Sequence, residues 1–247
     1  MLTELHFFLH LAKSWGIIFV SVLGVLLLAL IISGFASHRT IFKDAFKSHL
    51  FVNKKLQQTD MHNKLSVWAA PFHIMIAITV AFFGLATVVL FAYAFTFADN
   101  DVDLVIAKVF GKESELHQAN DRIEIAKAFK QMPELAPATK PILAIVHDTG
   151  TPEQFIEIYS YYPNRLIYSD NFVFNANGEF LHRQGFSDGA IGKQIVYSMY
   201  RLHFGRFDGW WVKLLYFVLG LALTIVSVSG VNLWLVKRKK YDAINYY

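Results

Sequence analysis

The chain has 247 residues, of which 55% are hydrophobic, and its mean hydropathy of +0.37 is too high for an ordinary soluble domain. It contains no cysteine, which excludes disulfides, iron–sulfur clusters and cysteine-ligated zinc. The formal net charge is +4, and the distribution of the basic residues indicates membrane topology rather than nucleic acid binding.

Three long apolar runs account for the high hydropathy. The first, Trp15 to Ala36, has no charged residue and would extend about 33 Å as a helix, enough to cross a bilayer. The second, Leu65 to Phe97, is longer than a bilayer requires and must tilt or protrude. The third, Trp210 to Val236, carries only Lys213, whose long side chain can reach the interface. We therefore predict three transmembrane helices, within residues 1–37, 65–97 and 209–237.

Charge sets the predicted topology. Basic residues are concentrated in the connection 38–64 and at the start of the tail 238–247, whereas segment 98–208 has fifteen acidic and eleven basic residues. The positive-inside rule places the connection and the tail in the cytoplasm and segment 98–208 on the opposite side. The N-terminus would then lie outside, although the first residues have no signal-peptide features. We therefore expect a further transmembrane helix upstream of this sequence.

The connection 38–64 begins with a segment that alternates between apolar residues and lysines. The apolar positions are close to helical spacing and predict an amphipathic helix in the cytoplasmic interface. They are Ile41, Phe42, Ala45, Phe46 and Leu50.

Segment 98–208 predicts a small α+β domain. We expect a helix over residues 121–132 that ends before Pro133, then strands over 141–148 and 153–162. In the second strand, Ile156 and Ile158 share one face. An Asn-x-Asn-Gly turn at 175–178 predicts a hairpin, and a last helix leads to the membrane. The fold class is therefore a mostly α membrane protein with a small α+β extracytoplasmic domain between the second and third transmembrane helices.

Six of the ten histidines lie in or beside the predicted membrane helices. An intramembrane histidine indicates a functional site unless it simply bonds the backbone of a neighbouring helix. His62 and His73 are eleven residues apart, which places them on nearly one helix face at about 16 Å separation. Imidazoles thus occur at two depths. Three lie towards the outside, namely His6, His10 and His203, and three lie towards the cytoplasm, namely His38, His62 and His73.

Two bis-histidine haems would explain imidazoles at two depths, and a proton or metal-ion path is the alternative. A path for divalent ions should also contain carboxylates, and the three apolar runs have none. The sequence has neither a G-x-G-x-x-G motif nor a P-loop, so nicotinamide or flavin would belong to a separate donor.

Several blocks of the sequence resemble the PepSY-associated transmembrane family, which includes iron-regulated inner-membrane proteins and di-haem ferric-siderophore reductases. The blocks are "LHFFLHLAKSWG", "SGFASHRTIFKDAF", "DMHNKLSVWAAPFHIMIA" and "LHFGRFDGWWVKLLYFVLG". Segment 98–208 is similar to a PepSY domain in position and element order. The resemblance implies a bacterial inner-membrane protein with a periplasmic PepSY-like domain, and a core helix upstream of this chain.

The resemblance also implies two b-type haems. His203 would bind the outer haem together with His6, with His10, one helical turn away, as the competitor, and the inner haem would use His73 first, or His62 or His38. Electrons from a cytoplasmic or membrane donor would reduce a periplasmic ferric siderophore and release Fe(II) for uptake.

Two other functions stay open at this stage. The first is a non-enzymatic membrane protein whose PepSY-like domain binds a peptide, a protease or an uptake partner. The second is a permease subunit, which the absence of intramembrane carboxylates disfavours. Tyr159, Tyr161 and Tyr162 are candidates for siderophore contact, although strand residues of this type more often pack on a sheet.

Overall fold

The computed structural model describes residues 1–47, 54–110, 122–163, 165–167, 169–185 and 191–245. The chain forms two compact units: Met1–Leu85 with Gly209–Tyr247, here called the membrane unit, and Ala86–Asp208, the sheet unit. Three helices are long and apolar enough to cross a membrane, over Lys13–Ser37, Ala70–Phe97 and Gly209–Lys239. A four-stranded antiparallel sheet lies between the second and the third in the chain. The predicted fold class is confirmed, and the protein is a multi-pass membrane protein in a lipid bilayer.

Nine helices and four strands lie within the described residues. The helices are α1 Leu2–Phe8, α2 Lys13–Ser37, α3 Ile41–Asp44, α4 Lys54–Trp68, α5 Ala70–Phe97, α6 Val102–Phe110, α7 Ile125–Leu135, α8 Ile191–Phe204 and α9 Gly209–Asn245. The strands are β1 Lys140–His147, β2 Phe155–Tyr161, β3 Asp170–Asn175 and β4 Phe180–Gln184.

The first predicted segment is divided into two helices. Leu9 and His10 adopt left-handed backbone angles, with φ of 54° and 58°, and this turn ends α1. Helix α1 then packs on the start of α2, where a Cβ on Gly16 would lie 2.6 Å from the Cα of Phe8. His6 is therefore on α1 and His10 is in the turn. The expectation that the two lie one turn apart on a single helix was wrong.

The second predicted segment is also divided, at Ala69 between α4 and α5. Pro71 explains the break, because it has no amide hydrogen to donate and its ring crowds the carbonyl four residues earlier. The membrane-crossing helix thus begins at Ala70 rather than Leu65. As a result, His62 lies on α4 and His73 on α5.

Helix α3 covers the start of the predicted amphipathic segment but is only four residues long, and the apolar residues there do not share one environment. Ile41 and Ala45 are buried, whereas the side chains of Phe42 and Phe46 are 62% and 78% exposed. The two phenylalanines thus present an apolar surface, as an interfacial segment requires. Leu50 lies outside the described residues.

Helices α2 and α5 approach closely through small residues. The hydroxyl of Ser21 donates to the carbonyl oxygen of Val80 at 3.0 Å. A Cβ on Gly24 would lie 2.9 Å from the backbone nitrogen of Ala81, and one on Gly84 would lie 2.6 Å from the carbonyl oxygen of Ile17. Small residues let helix backbones meet in a membrane, where the hydrophobic effect does not drive association.

Gly84→Val is expected to separate these helices and to cost about 1–3 kcal/mol, as overpacking of a close contact does. The measurement is the thermal unfolding midpoint of the purified full chain in detergent. Gly220→Val on α9 is the matched control, because a Cβ there meets nothing within 4 Å. Equal midpoints for the two variants would contradict the close-approach interpretation.

The sheet unit has its core on one face of the sheet. The strands pair antiparallel in the order β1-β2-β3-β4, and the predicted hairpin joins β3 to β4. Ile156 and Ile158 lie on the predicted common face and pack in one cluster with Phe172 and Phe174. Helix α7 contributes its own buried residues to this cluster.

Two details of the sheet unit differ from prediction. Helix α7 continues through Pro133 to Leu135, because a proline in the last turn removes only one hydrogen bond while Met132 stays anchored in the core. Helix α6 was not predicted. Its Val105 is buried against Ala94 and Ala98 at the end of α5.

Candidate functional site

A cavity in the membrane unit has a volume of about 590 Å³ and is lined by residues of α2, α4, α5 and α9 together with Ile41 of α3. This size lies in the range of small-molecule and cofactor sites. His38, His62 and His73 all line it, so the structure brings together the three histidines predicted near the cytoplasmic side. The rest of the wall is mostly aliphatic and includes Leu27, Ile31, Leu223, Val226 and Val231.

His62 is oriented by a hydrogen-bond chain to α9. Its Nδ1 lies 2.9 Å from the hydroxyl oxygen of Ser229, and this hydroxyl donates to the carbonyl oxygen of Val226 at 3.0 Å. Since the hydroxyl proton is used, Nδ1–H is the donor and the lone pair is on Nε2. Metal-ligating histidines are typically held in this way through the nitrogen that does not bind the metal.

The surroundings of His62 also favour the neutral imidazole. Burial lowers the pKa of His62 below its ordinary value, and the Val226 carbonyl opposes this shift in part. Gly230 adds room, because a Cβ there would lie 3.2 Å from Cε1 of His62. A neutral imidazole with a lone pair is the form that binds a metal.

His73 lies deeper and is only 2% exposed. Its Nε2 is 3.4 Å from the carbonyl oxygen of Leu219, a long hydrogen bond. Leu219 and Ser229 are ten residues apart on α9, about 15 Å along its axis. The two histidines therefore contact α9 at two levels, in agreement with the predicted separation.

His38 follows the last residue of α2 and is half-buried. Its Nε2 is 3.8 Å from Oδ2 of Asp44, an electrostatic contact beyond hydrogen-bond distance. Hydrogen bonds from Thr40 and then Lys47 lower the pKa of Asp44, so this carboxylate is ionised near neutral pH. His38 therefore faces both the cavity and a negative charge.

The outer histidines are distributed over both units. His6 and His10 belong to the membrane unit, where both are exposed, while His203 is on α8 in the sheet unit. The pairing of His203 with His6 or His10 stays a prediction.

The three tyrosines considered for siderophore contact are engaged within the sheet unit. The Tyr159 hydroxyl donates to Glu157 at 3.0 Å, and the Tyr162 hydroxyl donates to Asp170 at 3.0 Å. The Arg201 guanidinium lies over the Tyr161 ring, 5.2 Å from its centroid. These contacts favour the packing interpretation.

Ser229 is the site residue that sequence reasoning did not single out. The pair Ser229–Gly230 repeats the pair Ser33–Gly34 of α2, and this echo was the only signal in the sequence. In the structure both glycines line the cavity, and Ser229 fixes the ring of His62.

A family model described as PepSY-associated TM region matches residues 1–237. The chain belongs to this family. No curated protein matches the sequence. The match to the PepSY-associated TM region extends over all three membrane-crossing helices, the sheet unit and the three histidines of the cavity.

Within the described part of the chain, no three His, Cys, Asp or Glu side chains are grouped so that they could hold an ion by themselves. Imidazoles spread along an apolar cavity suit a larger cofactor that supplies most of the ligands itself.

Proposed function

We propose that this PepSY-associated membrane protein carries electrons across a bacterial inner membrane by means of haem and reduces ferric siderophores on the periplasmic side. The observation that supports this most strongly is the grouping of His38, His62 and His73 around one apolar cavity. The products are Fe(II) and the free chelator, since Fe(II) binds hard oxygen ligands more weakly than Fe(III) does.

The residues of the cavity fit a haem. Imidazole is a common axial ligand of haem iron, and the aliphatic wall suits the porphyrin ring. The volume of about 590 Å³ is adequate for a cofactor of this class. A Cβ on Gly34 would meet no atom within 4 Å, so the wall is open there to a flat ring.

Each residue has a distinct part in this proposal. His62 would hold the haem iron through Nε2, because Ser229 holds Nδ1. His38 would supply the second axial ligand, because His73 is hydrogen-bonded to Leu219, about 15 Å along α9 from the Ser229 that holds His62. When bound, a haem accepts and releases one electron reversibly. The aliphatic side chains around it exclude water and stabilise the uncharged imidazoles.

The outer haem would be held by His203 with His6 or His10. A separate donor would have to supply one electron for each Fe(III) that is reduced to Fe(II). The sheet unit would then lie in the periplasm, where the siderophore arrives.

The activity is tested with purified full-length protein that is reduced anaerobically, desalted and mixed with a ferric hydroxamate siderophore. We expect reoxidation of the protein to accompany Fe(II) formation, measured with a coloured Fe(II) chelator. His62→Ala and His203→Ala should lose the reaction, whereas His182→Ala, an exposed position on β4, should keep it. A haem-loaded protein that the ferric siderophore leaves reduced would overturn the proposed substrate. Uptake that continues in all the membrane histidine variants would favour a partner-binding PepSY protein instead.

A further inference from the structure

The sheet unit has an open groove of about 650 Å³ between the loop 165–167 and helix α8. Arg165 and Leu166, both exposed, line the groove on the loop side. On the helix side, Ile191, Ile195 and Met199 follow one another at four-residue intervals and so share one face. The groove therefore combines an apolar stripe with a positive charge.

The stripe is strongly exposed for aliphatic side chains. Ile191 is 77% exposed and Ile195 is 50% exposed. The other side of α8 faces the rest of the sheet unit, and Arg201 on that side is buried. Large exposed apolar residues along one helix face mark a binding surface for an apolar partner.

Arg201 gives the groove a fixed shape. Its guanidinium donates to the backbone carbonyls of Tyr162, Arg165 and Ile167, which ties the loop to α8. The side chain of Arg165 lies over the Tyr162 ring, 4.8 Å from its centroid. A cation is thus positioned beside the apolar stripe.

The covalent chain keeps the C-terminal end of this helix near the start of the third membrane-crossing helix. Helix α8 ends at Phe204, and the membrane-crossing helix begins at Gly209. Five residue steps span at most about 18 Å, so the end of α8 cannot lie far from the start of the span. Trp210 and Trp211 are 62% and 72% exposed, as is typical of residues in the headgroup layer.

We propose that this groove binds an anionic phospholipid of the surrounding bilayer. The acyl chains contact Ile191, Ile195 and Met199, and the phosphate contacts Arg165. An amphipathic helix with basic residues beside its apolar face binds membranes in this way. This site is separate from the haem cavity and does not depend on it.

The natural absence of cysteine makes a direct test possible. Full-length Ile195→Cys is labelled with a fluorophore and placed in nanodiscs that contain brominated phospholipids, which quench on contact. Lys193→Cys is the matched control, since it is exposed and lies about 200° away around the same helix. We expect several-fold stronger quenching at position 195 than at position 193. Equal quenching at the two positions would overturn the proposal.

A second arm tests the phosphate contact with Arg165→Gln in the Ile195→Cys background. Brominated phosphatidylglycerol should quench more strongly than brominated phosphatidylcholine, and Arg165→Gln should abolish this preference. Inorganic phosphate at millimolar concentration should leave the quenching unchanged. A preference that survives Arg165→Gln would contradict the assigned headgroup contact.

Two other outcomes would refute lipid binding. Loss of quenching on addition of phosphate would indicate a site for a free anion. Protection of position 195 only by a protein would indicate a protein partner.

Discussion

His62→Ala is expected to remove the haem of the inner cavity and to lower the haem content by one equivalent per chain. The expectation follows from the position of the ring, which lines the cavity while Ser229 holds its Nδ1. Alanine removes the imidazole that would bind the iron. The measurement is the ratio of haem to protein by the pyridine haemochrome method, after expression with added haem.

His182→Ala is the control for this experiment, because its side chain is exposed on β4 in the sheet unit. Unchanged haem content in His62→Ala would contradict the ligand assignment. The same assay on His38→Ala and His73→Ala identifies the second ligand. Ser229→Ala should keep the haem but shift its reduction potential, since it removes only the partner of the ligand ring.

Arg201→Met is expected to destabilise the sheet unit by about 2–4 kcal/mol, since hydrogen bonds to a charged group contribute about 1.5–3 kcal/mol and buried carbonyls would lose their donor. Arg201 is only 6% exposed and donates to three carbonyls of the loop that precedes β3. Methionine is of similar length and keeps the apolar contacts of the side chain. The chemical denaturation midpoint of the full chain and amide hydrogen exchange over residues 162–167 would measure the effect.

Arg206→Met provides the matched control, because the Arg206 side chain is exposed and contacts the rings of Tyr200 and Phe204 and the hydroxyl of Tyr200. A surface change of this kind should stay within about 0.5 kcal/mol. If exchange in the loop were the same in both variants, Arg201 would not be the residue that ties the loop to α8.

The sequence predicts the spans and the sheet because both depend on patterns that are local. Twenty or more apolar residues without charge specify a membrane helix regardless of its neighbours. The alternation around Ile156 and Ile158 and the turn at Gly178, where φ is 70°, specify the β2 face and the β3–β4 hairpin.

The breaks within the apolar segments were not predicted, because they depend on backbone events inside runs of similar hydropathy. The turn at Leu9 and His10 has no glycine or proline to announce it. Pro71 was visible, but prolines also occur inside membrane helices, so it did not decide between a kink and a break. Helix α6 depends on packing against Ala94 and Ala98, which are not local to it.

The candidate site also combines features that local sequence patterns predict with features that depend on packing between helices. Histidines in apolar surroundings were visible in the sequence, and the two levels of His62 and His73 followed from helical rise. The grouping of His38 with them depends on how α2 and α9 pack. The role of Ser229 depends on the contact of its hydroxyl on α9 with the ring of His62 on α4. Neither can be obtained from periodicity.

The absorption spectrum of the purified full-length protein, expressed with haem supply, tests the central proposal most directly. We expect a Soret band of low-spin bis-histidine haem that shifts to longer wavelength on reduction with dithionite, and that weakens in His62→Ala but not in His182→Ala. A folded, colourless protein, or a haem band that both variants retain in full, would contradict the proposal.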